Sequence, residues 1–256
     1  MNSSLCVLTG ATGGIGKAIA HALYTQGWKL LLVGRNTQAL EELSTACPDS
    51  EIFTGDLTDD ATRINLAIKA KQLGGVKLLI NNAGVNTMQS LERTSSEEID
   101  CMLNTNLSVP IKLCQLFLGQ LQFTKGTIVN IGSSFGSIGY PFQTLYCASK
   151  FGLRGFTEAL SRELNGSGVK VAYLAPRATD TAINNDKTRA MNKELGNKMD
   201  SPELVAKELL ILINSNQTRR FIGFPEKLFA RINGVFPNIV DNAIAKQLPK
   251  IKRFLN

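Results

Sequence analysis

Short apolar runs alternate with longer segments of helical periodicity over roughly the first 175 residues. The runs are apolar at nearly every position, which is typical of strands covered on both faces of a sheet. They cover residues 5–9, 29–34, 51–54, 76–81, 127–131 and 169–174. The helix-period segments between them cover about residues 15–26, 37–47, 59–73, 96–121 and 145–165. This alternation predicts parallel strands joined by right-handed helical crossovers, and therefore a doubly wound α/β sheet with helices on both faces.

The pattern changes after residue 175. Residues 182–200 are polar and long for a connection, so they are expected to form a lid or a mobile substrate loop. Pro202 is expected to start a helix, and residues 219–223 to form a last strand. No Pro/Gly-rich linker marks a boundary, so residues 1–222 are interpreted as one domain, followed by an amphipathic extension over residues 223–256.

The composition is that of a folded globular chain. Of the 256 residues, 43% are hydrophobic and 19% charged, which excludes a disordered or collagen-like protein. No apolar run reaches the roughly 18 residues of a membrane-spanning helix, and the first residues do not resemble a signal peptide. A cytoplasmic location is therefore expected.

The net charge is +7, and residues 225–256, with six basic and two acidic side chains, contribute +4 of it. This extension is interpreted as a lid or an oligomer contact, with peripheral attachment to anionic lipid as the alternative. No nucleic-acid-binding motif accompanies the positive charge, so nucleic acid is not expected as a partner.

Cysteine and histidine usage narrows the chemistry further. The five cysteines contain no CxxC pair, which indicates a reducing compartment without a disulfide scaffold or a zinc site. They are Cys6, Cys47, Cys101, Cys114 and Cys147. His21 is the only histidine. Multi-histidine metal centres are thereby excluded, a Ser-His-Asp triad is disfavoured, and no metal is predicted.

A glycine-rich turn follows the first strand and opens the first helix. Residues without side chains let the backbone approach a pyrophosphate and direct free N–H groups of the helix N-terminus at it. The context of strand, turn and helix therefore favours a dinucleotide site over an ordinary tight turn. Its candidate residues are Gly10, Thr12, Gly13, Gly14, Ile15 and Gly16.

The second strand ends in Gly34-Arg35-Asn36. NAD-binding folds usually place an acidic residue here for the ribose 2′-hydroxyl, whereas Arg35 can pair with a 2′-phosphate. This favours NADP(H) as the cofactor, with Arg35 and Asn36 among its contacts; the alternative is a solvated arginine at a strand end.

A candidate catalytic pair lies in the segment 145–165. Tyr146 and Lys150 are four residues apart and therefore neighbours on one face of a helix. A lysine beside a tyrosine favours the phenolate and lowers the tyrosine pKa, as a general acid/base for a carbonyl/alcohol pair requires. Ser133 ends the strand 127–131 region and precedes Tyr146 by 13 residues, while Ser134 competes for the same role.

In several motifs the sequence resembles the short-chain dehydrogenase/reductase family. They are TGxxxGxG over residues 9–16, Asp56-Leu57, Asn81-Asn82-Ala83-Gly84, Asn106 within Thr-Asn-Leu, Ser133, and Tyr146xxxLys150. The resemblance covers the chain to about residue 222. It implies a Rossmann fold with about seven strands in the order 3-2-1-4-5-6-7. It also implies a homodimer or homotetramer formed through residues 96–121 and 145–165.

The resemblance also implies roles for these residues. Tyr146 would exchange a proton with the substrate oxygen, and Ser133 would hydrogen-bond that oxygen. Lys150 would bind the nicotinamide ribose and hold down the tyrosine pKa, and Asn106, favoured over Asn104, would order a proton-relaying water. Further cofactor contacts are implied for Asp56, Leu57, Asn82, Ala83, Gly84, Pro176 and Thr181.

One position departs from the family pattern, because Arg177 follows Pro176 where the family typically has glycine. Either the loop after the sixth strand has a different shape from that of the family, or Arg177 binds an anionic group.

The leading hypothesis is therefore an NADPH-dependent reductase of a carbonyl substrate, transferring hydride between NADP(H) and a ketone/alcohol pair. A reductase of 3-oxoacyl thioesters is its most specific version. A non-catalytic dinucleotide sensor of the same fold is the alternative. Substrate specificity is expected in residues 134–143, in residues 182–200 and in the extension.

Overall fold

Seven strands form one parallel sheet in the computed structural model, which describes residues 4–182, 186–224 and 226–255. The strands are β1 Leu5–Thr9, β2 Lys29–Gly34, β3 Glu51–Thr54, β4 Val76–Asn81, β5 Thr127–Ile131, β6 Lys170–Ala175 and β7 Arg219–Phe221. Their order in the sheet is β3-β2-β1-β4-β5-β6-β7. The predicted doubly wound topology and strand order are confirmed.

Ten α-helices connect and flank these strands in the described residues. They are α1 Gly14–Thr25, α2 Thr37–Ala46, α3 Asp60–Gln72, α4 Ser96–Leu103, α5 Val109–Thr124, α6 Thr144–Glu163, α7 Asp186–Glu194, α8 Pro202–Ile213, α9 Glu226–Val235 and α10 Pro237–Lys252. The helices predicted near residues 15, 37, 59, 145 and 202 begin within one residue of the observed starts.

The sheet has a separate apolar core on each face. Successive strand residues point to opposite faces, so Cys6 and Leu8 pack with helices α1, α2 and α8 on one side. Leu5 and Val7 pack with helices α3 and α5 on the other side. This double coverage explains why the strands are apolar at nearly every position.

The predicted helical segment 96–121 is not one α-helix. A π-helical turn at Asn104–Ser108 separates α4 from α5, and Pro110 lies in the first turn of α5. Proline has no N–H to donate to the carbonyl of Asn106 four residues earlier, so the regular α-helical hydrogen-bond pattern cannot run through this point. The break therefore places Asn106 within the π-helical turn, outside the regular α-helical hydrogen-bond pattern of α4 and α5.

The two polar or amphipathic regions near the C-terminus both contain helices. The segment 182–200 contains α7, and the extension consists of α9 and α10. Asn233 Nδ2 donates to the carbonyl of Ser137 at 2.9 Å, and Arg253 pairs with Glu194 of α7 at 2.7 Å. The extension thus packs on the loop after β5 and on the helix of the segment 182–200. Within the described part of the chain, no helix combines the length and apolarity needed to cross a membrane.

Candidate active site

One cavity of about 770 Å³ lies at the carboxyl ends of the strands. In this sheet the order of strands reverses between β1 and β4, which is the place where open α/β sheets bind ligands. Among the predicted site residues, all but Asn36 and Asn106 line the cavity. Those that do are Gly10, Thr12, Gly13, Gly14, Ile15, Gly16, Arg35, Asp56, Leu57, Asn82, Ala83, Gly84, Ser133, Tyr146, Lys150, Pro176 and Thr181.

The turn between β1 and α1 has no room for side chains. Gly10 has φ +63°, and a Cβ added there would lie 2.8 Å from Ala83 Cα. A Cβ at Gly16 would lie 2.2 Å from the carbonyl oxygen of Gly10. The glycines are therefore required by close backbone packing, and they leave the N-terminus of α1 open toward the cavity.

Hydrogen bonds hold the loop after β4 against this turn. The Asn82 side-chain Nδ2 donates to the carbonyls of Thr9 and Gly10 at 3.1 and 3.0 Å. The Thr9 hydroxyl accepts from the backbone N–H groups of Asn82 and Ala83 at 3.0 and 3.1 Å. Asn82 therefore shapes the dinucleotide turn from behind, with its amide nitrogen engaged by the fold.

Thr181 approaches the same turn from the other side of the cavity. A Cβ at Gly14 would lie only 2.7 Å from Thr181 Cγ2, so the Thr181 side chain packs directly against Gly14. Thr181 thus closes the cavity over the start of α1, which fits a residue that contacts a bound dinucleotide.

The residues after β2 and β3 lie at the opposite end of the cavity. Arg35 is exposed and lines the cavity, whereas the Asn36 side chain caps α2 by accepting from the Ala39 N–H at 3.0 Å. Hydrogen bonds from Thr58 lower the pKa of Asp56, and the positive charge of Arg35 lowers it further. Arg35 and Asp56 are therefore neighbours.

The catalytic candidates meet where β5 and α6 approach each other. The Ser133 hydroxyl accepts the Phe135 N–H at 3.1 Å, and it lies near enough to the Tyr146 phenol to lower the pKa of that phenol. Lys150 is 5% exposed, and its Nζ lies 5.6 Å from the centre of the Tyr146 ring. The Lys150 ammonium donates to the carbonyl of Ile131 at 3.0 Å. The structure thus brings serine, tyrosine and lysine together at one edge of the cavity.

Burial determines the protonation of this group. Desolvation raises the pKa of Tyr146 to about 12, against a smaller lowering by the Ser133 hydrogen bond. Desolvation also lowers the pKa of Lys150 to about 8. The expected depression of the tyrosine pKa by Lys150 is not seen here: the pKa is raised, and the largest cause is removal of the phenolate from water. At neutral pH the phenol is protonated and the lysine is predominantly charged.

Asn106 lies behind the cavity with its side chain fully engaged. Its Oδ1 accepts from the Val85 N–H and its Nδ2 donates to the Val85 carbonyl, both at 2.8 Å. Nδ2 also donates to the Ser149 hydroxyl at 3.2 Å. The side chain joins the loop after β4 to α6.

Arg177 forms a buried ion pair. Its Nε and Nη2 donate to the two carboxylate oxygens of Asp200 at 2.9 and 2.7 Å, and its Nη1 donates to the Phe224 carbonyl at 3.2 Å. Asp200 and Ala178 are also joined through their backbones at 2.9 Å. Of the two interpretations of this departure, the structure supports an arginine that binds an anionic group, and that group is the Asp200 carboxylate of the chain itself.

Tyr173 is a supporting residue that sequence reasoning did not single out. Its hydroxyl accepts the Ser133 N–H at 3.2 Å and donates to the Ser133 carbonyl at 3.3 Å. The ring fills the space over Gly132 and Gly136, where a Cβ would lie 2.0 and 2.3 Å from tyrosine atoms. A tyrosine inside an apolar strand does not reveal this contact in the sequence. The two nearby glycines, Gly132 and Gly136, are the only local sign that a bulky side chain packs beside Ser133.

The far end of the cavity contains several apolar side chains and is covered by the C-terminal helices. Its lining there includes Ile138, Met191, Phe229, Val240 and Ile244. The lid role expected for the extension fits this placement. On the outer side of the same helices, Leu228, Val235, Phe236 and Ile239 are exposed.

Comparison with known proteins agrees with this geometry. The family model for short chain dehydrogenase matches residues 4–192. A carbonyl reductase family member 4 from Xenopus laevis is 33% identical over 83% of this chain and 92% of its own length. The 3-oxoacyl-[acyl-carrier-protein] reductase FabG of Vibrio cholerae is 32% identical over 76% of this chain and 79% of its own. A short-chain dehydrogenase structure from Streptomyces avermitilis superposes with a TM-score of 0.81 at 25% identity, covering 98% and 97% of the two chains.

The chain therefore belongs to the short-chain dehydrogenase family. It is accordingly an oxidoreductase of a family that uses a nicotinamide dinucleotide, and the fold described above is that of this family.

Proposed function

We propose that this protein is an NADPH-dependent carbonyl reductase in which Tyr146 is the proton donor. The observation that carries the proposal is the grouping of the Ser133 hydroxyl, the half-buried Tyr146 phenol and the Lys150 ammonium at one edge of the cavity. A ketone or aldehyde oxygen placed at the Ser133 and Tyr146 hydroxyls receives two hydrogen bonds. These polarise the carbonyl and stabilise the charge that develops on its oxygen.

The protonation states favour reduction over oxidation at neutral pH. A phenol with a pKa of about 12 carries its proton and can donate it to an alkoxide forming from the substrate. A lysine with a pKa of about 8 supplies a nearby positive charge, which stabilises the tyrosinate left behind. Oxidation would instead require a base, which the protonated phenol does not provide.

The cavity fits a nicotinamide dinucleotide. The side-chain-free turn at Gly10–Gly16 and the N-terminus of α1 would hold the pyrophosphate, and Asp56 and Leu57 would flank the adenine. When bound, the nicotinamide supplies the hydride that the protein lacks. The chain's own residues orient the substrate carbonyl, cover it with α9 and α10, and deliver the proton.

NADPH is favoured over NADH by Arg35. Its guanidinium is exposed at the cavity edge beside Asp56, where it is available for a 2′-phosphate. The charge-assisted fork between arginine and phosphate has no counterpart in NAD.

Names of the relatives point to two substrate ranges, general carbonyl compounds and 3-oxoacyl thioesters. The decisive experiment is consumption of NADPH, with NADH in parallel, over a panel of acyl-thioester, steroid, sugar and aromatic ketones. Reduction of at least one class with preference for NADPH is expected. NADPH binding without turnover of any carbonyl compound would favour a dinucleotide sensor instead.

A further inference from the structure

Three side chains in the cavity lining have a buried polar atom without a hydrogen-bond partner among the described residues. These atoms are Asn86 Oδ1, the Tyr140 hydroxyl and Gln143 Oε1. Gln143 as a whole is only 4% exposed. Burying a polar atom without a partner is unfavourable, so native proteins contain few of them and each requires an explanation.

Tyr140 and Gln143 belong to the segment that immediately precedes the proposed catalytic tyrosine, Tyr146. Gln143 is the residue before α6 and precedes Tyr146 by three positions, and its N–H donates to the Tyr140 carbonyl at 3.2 Å. The Tyr140 ring stacks on Phe135 at 4.9 Å, and Phe135 in turn meets the Tyr146 ring edge-on at 6.4 Å.

The loop that carries Asn86 is fastened to the same place. The Gln89 N–H donates to the carbonyl of Phe142 at 3.0 Å, which joins the segment after β4 to the segment before α6. Gln143 occupies the N-cap position of α6, but its side chain makes no capping bond. Its carboxamide oxygen therefore makes no hydrogen bond that stabilises the fold among the described residues.

We propose that Asn86, Tyr140 and Gln143 form a polar subsite that binds a hydroxyl or amide N–H group of the substrate, close to the reacting carbonyl. The inference rests on the proposed reductase function and narrows its substrate class. Two of the unpartnered atoms are carboxamide oxygens, which accept hydrogen bonds, and the third belongs to a phenol, which both donates and accepts. A group that carries its own donor satisfies this set, whereas a plain hydrocarbon chain leaves it unpaired.

Burial raises the pKa of Tyr140, so its hydroxyl stays neutral over the working range of pH. The three side chains of the subsite therefore carry no charge of their own. Ketones with a hydroxyl or amide near the carbonyl are the substrates it fits, in preference to simple alkyl or aryl ketones.

The test compares 2-pentanone with its 3-, 4- and 5-hydroxy derivatives in NADPH consumption. The native enzyme is expected to favour at least one hydroxy ketone by about tenfold or more in kcat/KM, since a site built to bind a hydroxyl discriminates against the analogue without it. Gln143→Met keeps the length of the side chain and removes its polar atoms. The ratio of kcat/KM for the favoured hydroxy ketone to kcat/KM for 2-pentanone, which we call the selectivity ratio, should therefore fall by about tenfold. Tyr140→Phe keeps the stacking on Phe135 and should lower the ratio in the same direction.

Gln120→Met is the matched control. Gln120 also has a buried, unpartnered Oε1, but it lies outside the cavity lining on α5. Its replacement is expected to leave the selectivity ratio intact. Equal kcat/KM for the ketone and all three hydroxy ketones in the native enzyme would overturn the subsite and leave the reductase function standing. Absence of NADPH oxidation with every carbonyl compound tested, thioesters and sugars included, would overturn both.

Discussion

The two ends of the cavity are built differently. At the dinucleotide end, backbone atoms and glycines form the surface, and polar side chains such as Thr9 and Asn82 are bonded to the fold itself. At the substrate end, side chains form the surface, and Asn86, Tyr140 and Gln143 keep buried atoms without partners among the described residues. An end made of backbone binds one fixed ligand, whereas an end made of loop side chains can be adapted to different substrates.

The same difference extends to how each end is covered. The dinucleotide end is closed by Thr181 packed against Gly14 at the start of α1. The substrate end is covered by helices at the end of the chain, which contribute Phe229, Val240 and Ile244. Variants at the dinucleotide end should therefore change the binding of the dinucleotide and leave substrate binding unchanged. Variants at the substrate end should do the reverse. The proton donor between the two ends should affect turnover alone.

The largest effect is expected for Tyr146→Phe. The variant keeps the ring but removes the hydroxyl that transfers its proton to the substrate oxygen, so kcat should fall by about a thousandfold. NADPH binding, measured by fluorescence titration, should stay within about twofold, because the glycine turn is untouched. Tyr24→Phe, at an exposed tyrosine of α1, serves as the control. Appreciable turnover by the phenylalanine variant would assign the proton to another group.

Gly10→Ala should weaken NADPH binding by about a hundredfold, since a misplacement of about 1 Å in a binding turn has effects of this size. The added methyl would lie 2.8 Å from Ala83 Cα at a φ of +63°. Gly27→Ala is the matched control, because Gly27 also has a positive φ of +79° but has nothing within 4 Å of the added carbon. Similar NADPH affinity in the two variants would mean that close packing at Gly10 is unimportant.

Arg35→Asp should weaken NADPH binding by about thirtyfold through loss of the charge-assisted contact and new like-charge repulsion. NADH binding should change little, so the preference between cofactors is reduced or reversed. Titrations with both cofactors measure the ratio, and Arg93→Asp at an exposed arginine after β4 is the control. A native enzyme that uses both cofactors equally well would contradict the role of Arg35.

The smallest effect is expected at the substrate end. Ile244→Ala removes apolar surface from the cavity lining and should raise the KM for a bulky ketone by about fivefold, with the NADPH Kd unchanged. Ile239→Ala makes the same change on the exposed side of α10, where the side chain is 55% exposed. The two variants should differ in KM; equal values would argue against α10 as the wall of the substrate site.

The sequence predicted the dinucleotide end better than the substrate end for a physical reason. Backbone packing leaves no room for a side chain at Gly10 or Gly16. A turn of this kind therefore requires glycine at fixed positions, and that spacing can be recognised in the sequence. The strand order and the joint roles of Ser133, Tyr146 and Lys150 were implied by the resemblance to the family; the structure has that strand order, and it places the three residues in one cavity.

Tertiary contacts that link distant segments left no such spacing. The ion pair of Arg177 with Asp200 joins positions 23 residues apart, and the Tyr173 hydroxyl supports Ser133 from a neighbouring strand. The π-helical turn before Val109 was likewise missed, although Pro110 was a local signal that the segment 96–121 could not continue as a regular helix.

In the proposed mechanism a protonated Tyr146 beside a charged Lys150 delivers a proton to the substrate, and the pH dependence of kcat for NADPH-dependent reduction tests this step most directly. The phenol, with a pKa of about 12, stays protonated across the range, whereas Lys150 loses its charge as the pH rises through about 8. We expect a kcat that is level between about pH 6 and 7 and falls above the lysine pKa of about 8. A kcat that instead rises through this pH to a plateau would show that a deprotonated group performs the reaction, and would contradict it.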